Sequence, residues 1–171
     1  MFVPPCSRLS TAFDEELPMA LDPSFIGRTY PPTEPYEVGR EKIREFAVAV
    51  GDANPAYLDP EAAKALGHPD VIAPPTFPIV LTMRAAAQVV QDPELGLDYS
   101  RVVHGDQKFS YTRPVRAGDR LTVAVTVDNI KSLAGNDVLT VRGEVADGTG
   151  EHVVTSVMTL VARAADEKAG E

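Results

Sequence analysis

The residues best able to move protons are gathered in one decapeptide, Gly51-Asp52-Ala53-Asn54-Pro55-Ala56-Tyr57-Leu58-Asp59-Pro60, which brings together a carboxylate, a carboxamide and a phenol. A carboxylate can accept or steer a proton and a phenol can give one. Neither is matched to neutral pH. A phenol with a pKa near 10 is ionised to about one part in a thousand at pH 7, and a carboxylate near 3.9 is a weak base. The competing reading is structural: Asp52 and Asn54 bond their own backbone in a turn, Tyr57 packs with its hydroxyl satisfied, and Asp59-Pro60 opens a helix.

Three histidines, His68, His104 and His152, carry the group whose pKa does suit neutral proton transfer. His68 lies in a loop beside Gly67 and Pro69, and His152 follows a turn. His104, which opens the strand-like run Val103-His104-Gly105-Asp106-Gln107, is the stronger rival for a base. Scattered in this way, without a cysteine or carboxylate cluster, they give no expectation of a metal, and no cofactor is expected. Lys108, Arg113, Arg116 and Arg120 make the clearest basic cluster, where a phosphate or an acidic partner could dock; a solvated face is the alternative.

The elements that must position these groups follow from periodicity. Ile43, Phe46, Ala47 and Val50 form the stripe of an amphipathic helix between Gly39 and Gly51, and Pro60 to Leu66 forms a short second helix ending at Gly67. Ile79 to Val90 is apolar almost all round, which predicts a buried helix. The second half changes period: Val102–Tyr111, Asp119–Leu133, Val138–Asp147 and His152–Ala162 are rich in Val and Thr, with alternation in Leu121, Val123, Val125 and Val127. Short turns separate them, so sequential antiparallel pairing is the economical topology. With a further strand near Glu34–Val38, this predicts an α+β layering of about five strands around one buried helix.

The chain has 171 residues, enough for one core, with 44% hydrophobic and 24% charged residues. The net charge of -9 argues against nucleic acid as a partner. No apolar run is long enough to predict a membrane span. Cys6 is the only cysteine, which excludes an intrachain disulfide and fits a reducing, cytoplasmic setting. Residues 1–18 show no apolar period and are expected to form a mobile leader, with Met19 an alternative start; 19–165 would be the domain and 166–171 a frayed tail.

Two segments then make a specific resemblance. The decapeptide from Gly51 to Pro60 resembles the G-D-x-N-P-x-H-x-D-P signature of the MaoC-like, FAS1-type dehydratase family. Phe109-Ser110-Tyr111-Thr112-Arg113-Pro114-Val115-Arg116-Ala117-Gly118-Asp119-Arg120-Leu121 is similar to that family's F-x-x-P-v-x-x-G-D-x-L strand-turn-strand. The resemblance covers about Leu21 to Ala162 and implies a hot-dog fold that handles acyl thioesters, acyl-carrier-protein or CoA. In the resembled enzymes the signature Asp and His form the dyad that adds or removes water across a 2,3-enoyl thioester. Here the His position is Tyr57, so Asp52 looks like half a dyad. Ahead of the buried helix the family commonly has a Gly whose N–H faces the thioester carbonyl. Here the run is Ala73-Pro74-Pro75-Thr76-Phe77-Pro78, whose prolines have no N–H, so only Thr76 and Phe77 could donate.

Both departures resemble the family's non-catalytic, acyl-binding subunits, which pair with a catalytic hot-dog subunit. The resemblance therefore implies such a subunit of an (R)-3-hydroxyacyl-thioester dehydratase in fatty-acid metabolism, a heterodimer with its catalytic partner and otherwise a homodimer. The alternatives are a self-sufficient homodimeric hydratase using Asp52 with Tyr57 or His104, and a lipid-binding protein without a reaction. Implied substrate contacts are Asn54, Pro75, Thr76, Phe77, Arg113 and Arg116. Phe77, Ile79, Leu81, Met83 and Val90 would line an acyl tunnel or simply fill the core.

Deleting Met1 to Pro18 should leave the melting temperature unchanged, because the leader has no apolar period with which to join the core; a fall of several degrees in a thermal melt would show that it packs.

Overall fold

The computed structural model describes residues 21–163, so the expected leader and the tail from 166 onward lie outside the described residues. Helix α1, Arg40–Val50, buries Ile43 and Ala47 and sets Phe46 edge-on to Phe77, with ring centroids 5.4 Å apart. It stops at Gly51, whose φ of 73° is a conformation glycine adopts without strain. Two short helices follow, α2 at Pro55–Leu58 and α3 at Pro60–Ala65. Each begins on a capping side chain: Asn54 Oδ1 accepts from the Ala56 amide at 3.0 Å, and Asp59 Oδ1 from the Glu61 amide at 2.9 Å.

Helix α4, Ile79–Val90, has the bounds that the apolar run predicts, but it is not buried on every side. Leu81, Thr82, Ala85, Ala86 and Val89 are buried, whereas Met83 is 41% exposed and Ile79, Val80, Ala87 and Val90 are half-buried. The cause is the small residues on its sheet side. They let α4 sit so low that a Cβ at Gly143 would meet Val123 Cγ1 at 3.4 Å and Thr82 Cγ2 at 3.7 Å. The outward apolar stripe then has no covering element among the described residues.

The strands β1 (Tyr36–Glu37), β2 (Val102–Tyr111), β3 (Arg120–Leu133), β4 (Asn136–Ala146) and β5 (His152–Ala162) form one antiparallel sheet in the order β1-β3-β4-β5-β2. Leu121, Val123, Val125 and Val127 of β3 are essentially fully buried beneath α4. The expected sequential pairing holds for β3, β4 and β5, but β2 pairs with β5 instead of β3. The connection between β2 and β3 explains the difference. Its backbone is bonded to other segments, with Ala73 N on Val115 O at 2.7 Å, Ala117 N on Val71 O at 3.0 Å and Gly118 N on Val38 O at 2.9 Å, so β3 starts beside β1. The outer edge of β3 is covered as well, since Gly27, Tyr30 and Thr33 donate to Val127, Val125 and Val123.

Arg113 and Asp119 hold this connection. Arg113 Nη1 donates to Asp119 Oδ2 at 2.8 Å and Nη2 to Asp147 Oδ2 at 3.1 Å, while Asp119 Oδ2 also accepts from the Arg116 amide at 3.0 Å. Hydrogen bonds from the Thr149 hydroxyl and amide, then from Arg113, hold the Asp147 carboxyl well below the usual carboxylate range.

Two tests follow from this packing. Gly143→Leu should destabilise the fold by about 1–3 kcal/mol through overpacking under α4; an unchanged denaturation midpoint would mean that α4 can lift freely. Because the native pKa of Asp147 is depressed, its contribution is fully present above the unfolded-chain value near 3.9 and is lost as pH falls towards the native value. Asp147→Asn should therefore lower stability at pH 7 and flatten its loss below about pH 4, measured by denaturant titration across pH. Parallel curves for the two proteins would contradict this.

Candidate functional site

The proton-transfer candidates meet at the junction of α1, α2 and the start of α4. Asp52 is half-buried just after Gly51, and its Oδ1 accepts from the Asn54 amide at 3.3 Å, so it shapes the turn that Asn54 then continues as a helix cap. Tyr57, on α2, is 7% exposed. Burial and the nearby Asp52 charge push its phenol above its ordinary pKa, against a smaller opposing hydrogen bond with Asn54. The position therefore holds a neutral phenol, which can donate a hydrogen bond and cannot take up a proton.

The proline corner in front of α4 is nearly stripped of donors. Pro74, Pro75 and Pro78 have none. The Phe77 amide donates to Pro74 O at 2.9 Å, and those of Ile79, Val80 and Leu81 to Thr76, Phe77 and Pro78 carbonyls at 3.0–3.2 Å. Only the Thr76 amide is left unused at this corner among the described residues. Phe77, fully buried, anchors the corner to α1. Tyr111, which sequence reasoning did not single out, closes it: its hydroxyl donates to Pro75 O at 2.7 Å. Burial and the neighbouring Tyr57 raise the Tyr111 pKa strongly, keeping it a donor. Strand alternation places it on the inner face of β2, but its partner 36 positions away leaves no sequence signal. An open cleft of about 250 Å³ lies here, lined by Tyr57, Ala73, Pro75, Tyr111 and Thr112 among others.

A second cavity of about 320 Å³ sits at the far end of α4, walled by Met83, Ala87 and Val90 of the helix, Tyr99, Val102 and Leu160. His104 lies here and not in the Tyr57 cleft. Directly beneath α4 the space closes to about 10 Å³, bordered by Thr82, Ala86, Gly143 and Ser156. That holds about one water at most. Of the apolar residues singled out for a tunnel, Phe77 and Leu81 are core, while Met83 and Val90 wall the groove.

The remaining candidates are committed elsewhere. Arg113 and Arg116 are turned to Asp119 and Asp147, and Lys108 lies 3.2 Å from Asp106. Arg120 has no ion pair among the described residues. His152 is held on both ring nitrogens, by Thr112 Oγ1 at 2.6 Å and by Thr155 Oγ1 at 2.9 Å, with Glu144 3.2 Å away. His68 is half-buried after α3, its amide bonded to Ala63 O. Among the described residues no cluster of His, Cys, Asp and Glu could hold a metal ion, and no helix is long and apolar enough to cross a membrane.

Comparison with known proteins places this geometry. Residues 24–156 match the model of the FAS1-like dehydratase domain region. UPF0336 proteins of Streptomyces avermitilis and Saccharopolyspora erythraea are 77% and 62% identical, over 87% and 90% of this chain and 99% of theirs. A MaoC-like dehydratase structure superposes with a TM-score of 0.78 at 36% identity over 84% of this chain, which spans only 44% of that longer protein. The C-terminally truncated HadBC (3R-hydroxyacyl-ACP dehydratase) complex from Mycobacterium tuberculosis gives 0.74 at 31% identity, over 84% of this chain and 99% of that one. The curled five-stranded sheet around α4 is a hot-dog fold, and the chain belongs to the FAS1-like, MaoC-like dehydratase family.

Proposed function

We propose that this chain is the acyl-binding, nearly silent subunit of an (R)-3-hydroxyacyl-thioester dehydratase, with acyl-carrier-protein or CoA as the thiol, and that a catalytic hot-dog subunit supplies the complete dyad. One observation carries the reading: the base position is a buried, neutral phenol. Elimination of water needs a base for the Cα proton, an acid for the leaving hydroxyl and donors for the enolate-like oxygen. Tyr57 cannot be the base at neutral pH, and the proline corner offers the Thr76 amide alone as a donor. A missing general base typically costs about 10² to 10⁴ in rate.

The binding half of the function remains intact. The cleft at Tyr57 and Tyr111 would take the thioester end, with Pro75 in its wall and Asn54, Thr76 and Phe77 setting the turns and the corner behind it. The small space beneath α4, about 10 Å³, favours the outer stripe of α4 and the groove at Met83 and Val90 as the path of the acyl chain. The likeness to a subunit of the HadBC complex, at 31% identity, supports a paired assembly of this kind.

Tyr57→His should be the change that most raises crotonyl-CoA hydration by the purified chain, because it restores a base beside Asp52. The gain should stay modest, short by about 10² to 10³ in kcat while donors are lacking. Pro75→Gly adds an N–H and should help more in the Tyr57→His background than alone, since base and donor serve one transition state. Steady-state kinetics of the four proteins decide it. High activity in the unmodified chain, lost in Asp52→Asn, would overturn the silent-subunit reading and favour a self-sufficient enzyme.

A further inference from the structure

α4 has a third face, which neither the sheet nor the groove uses. Leu81, Arg84 and Gln88 fall at i, i+3 and i+7 and look towards residues 30–36, the segment that runs beside β3. Gln88 Nε2 donates to Pro31 O at 3.3 Å and ties helix and segment together at one end. Beyond that tie the two part. A pocket of about 320 Å³ opens between Leu81 and Arg84 of the helix and Thr33, Glu34, Pro35 and Tyr36 of the segment. None of these residues lines the Tyr57 cleft or the groove at Met83 and Val90.

The walls are set before anything binds. Pro31, Pro32 and Pro35 lock their own φ. Thr33 is held to Val123 twice: its amide donates to the Val123 carbonyl at 3.0 Å, and its hydroxyl accepts from the Val123 amide at 3.1 Å. Tyr36 then pairs with Leu121. On the opposite wall Leu81 is seated in the core. A pocket preformed in this way costs little ordering when it is filled. Its charges are the second observation. Arg84 is the only charged residue of α4, and while most arginines among the described residues hold a carboxylate, it holds none. Glu34, across the pocket, has no ion pair among the described residues either, so two opposite charges line one pocket without pairing.

We propose that this pocket binds a free α-amino acid with an apolar or aromatic side chain: its carboxylate on Arg84, its ammonium on Glu34 and its side chain against Leu81, Pro35 and Tyr36. A lone anion drawn to Arg84 would meet the Glu34 charge, and a lone cation would meet the reverse. A zwitterion satisfies both walls at once. The planar guanidinium can grip a carboxylate with two parallel hydrogen bonds. The Thr33 hydroxyl uses only its acceptor side on Val123, so its hydrogen remains for the ligand. A volume of about 320 Å³ lies at the small end for ligand pockets, which suits a single amino acid and not a nucleotide or an acyl-CoA. Bound there, the ligand bridges residues 33–36 to α4 where the Gln88 tie does not reach.

Calorimetric titration of the full chain with L-leucine and with L-phenylalanine tests this. At least one should bind saturably, with a dissociation constant of about 1 mM or below. Its counterpart without the ammonium (4-methylpentanoate or 3-phenylpropanoate) and its counterpart without the carboxylate (3-methylbutylamine or 2-phenylethylamine) should each bind about tenfold more weakly or worse. Glycine, with no side chain to bury, should also be weaker by about tenfold or more. Arg84→Gln and Glu34→Gln, both at exposed positions, should each weaken binding about tenfold and leave the melting temperature in place. The absence of saturable heat with either amino acid at about 10 mM overturns the proposal. So does an analogue with a single charge, or glycine, binding as tightly as the parent, or binding that is indifferent to Arg84→Gln or to Glu34→Gln. None of these outcomes depends on whether the chain binds or turns over an acyl thioester.

Discussion

The close seat of α4 on the sheet governs most of what this molecule can do. Thr82, Ala85 and Ala86 on the helix and Gly143 below it remove the bulk that would hold the two layers apart, and the core closes around Val123 and Val125. Interiors pack to near-crystalline density, so a helix this low leaves no internal passage. The remaining apolar residues of α4, Met83, Ala87 and Val90, are thereby turned to the outside, where a binding surface can use them. The same descent sets the proline corner, because Phe77 at the head of α4 must lodge against Phe46 of α1.

From that corner the chemistry follows by subtraction. Prolines at 74, 75 and 78 and the turns that start α4 consume or omit nearly every N–H that could face a thioester oxygen. Tyr111 fixes Pro75 through its carbonyl, and Tyr57 stands neutral beneath them. What is left is a shaped, largely apolar cleft with phenol donors that stay protonated, which is the basis of the acyl-binding role proposed above.

Much of this was legible in the sequence, for identifiable reasons. Ile79–Val90, Val102–Tyr111 and His152–Ala162 have the bounds that their periods predict, with Pro78 just ahead of the first and the Asp147–Gly150 turn ahead of the last. The capping roles of Asn54 and Asp59 are local too. The departures came from long-range contacts. The partner of β2 is decided by how residues 112–119 are bonded to Val38, Val71 and Ala73, and the outward stripe of α4 by how low Gly143 lets it sit. Arg113 and Arg116 are a basic cluster by composition, but the fold turns them to Asp119 and Asp147. Tyr111 carries no motif at all; only its 2.7 Å hydrogen bond to Pro75 marks it.

The central claim is that this chain binds an acyl thioester without turning it over. The direct measurement is calorimetric titration of the purified chain with a medium-chain (R)-3-hydroxyacyl-CoA, with the same mixture followed at the enoyl absorbance, and Ala87→Trp as the variant that fills the groove. The account predicts saturable binding, loss of that binding in Ala87→Trp, and dehydration about 10² to 10⁴ slower than in an enzyme with a complete dyad. Rapid enoyl formation by the unmodified chain, or an absence of binding, would contradict it.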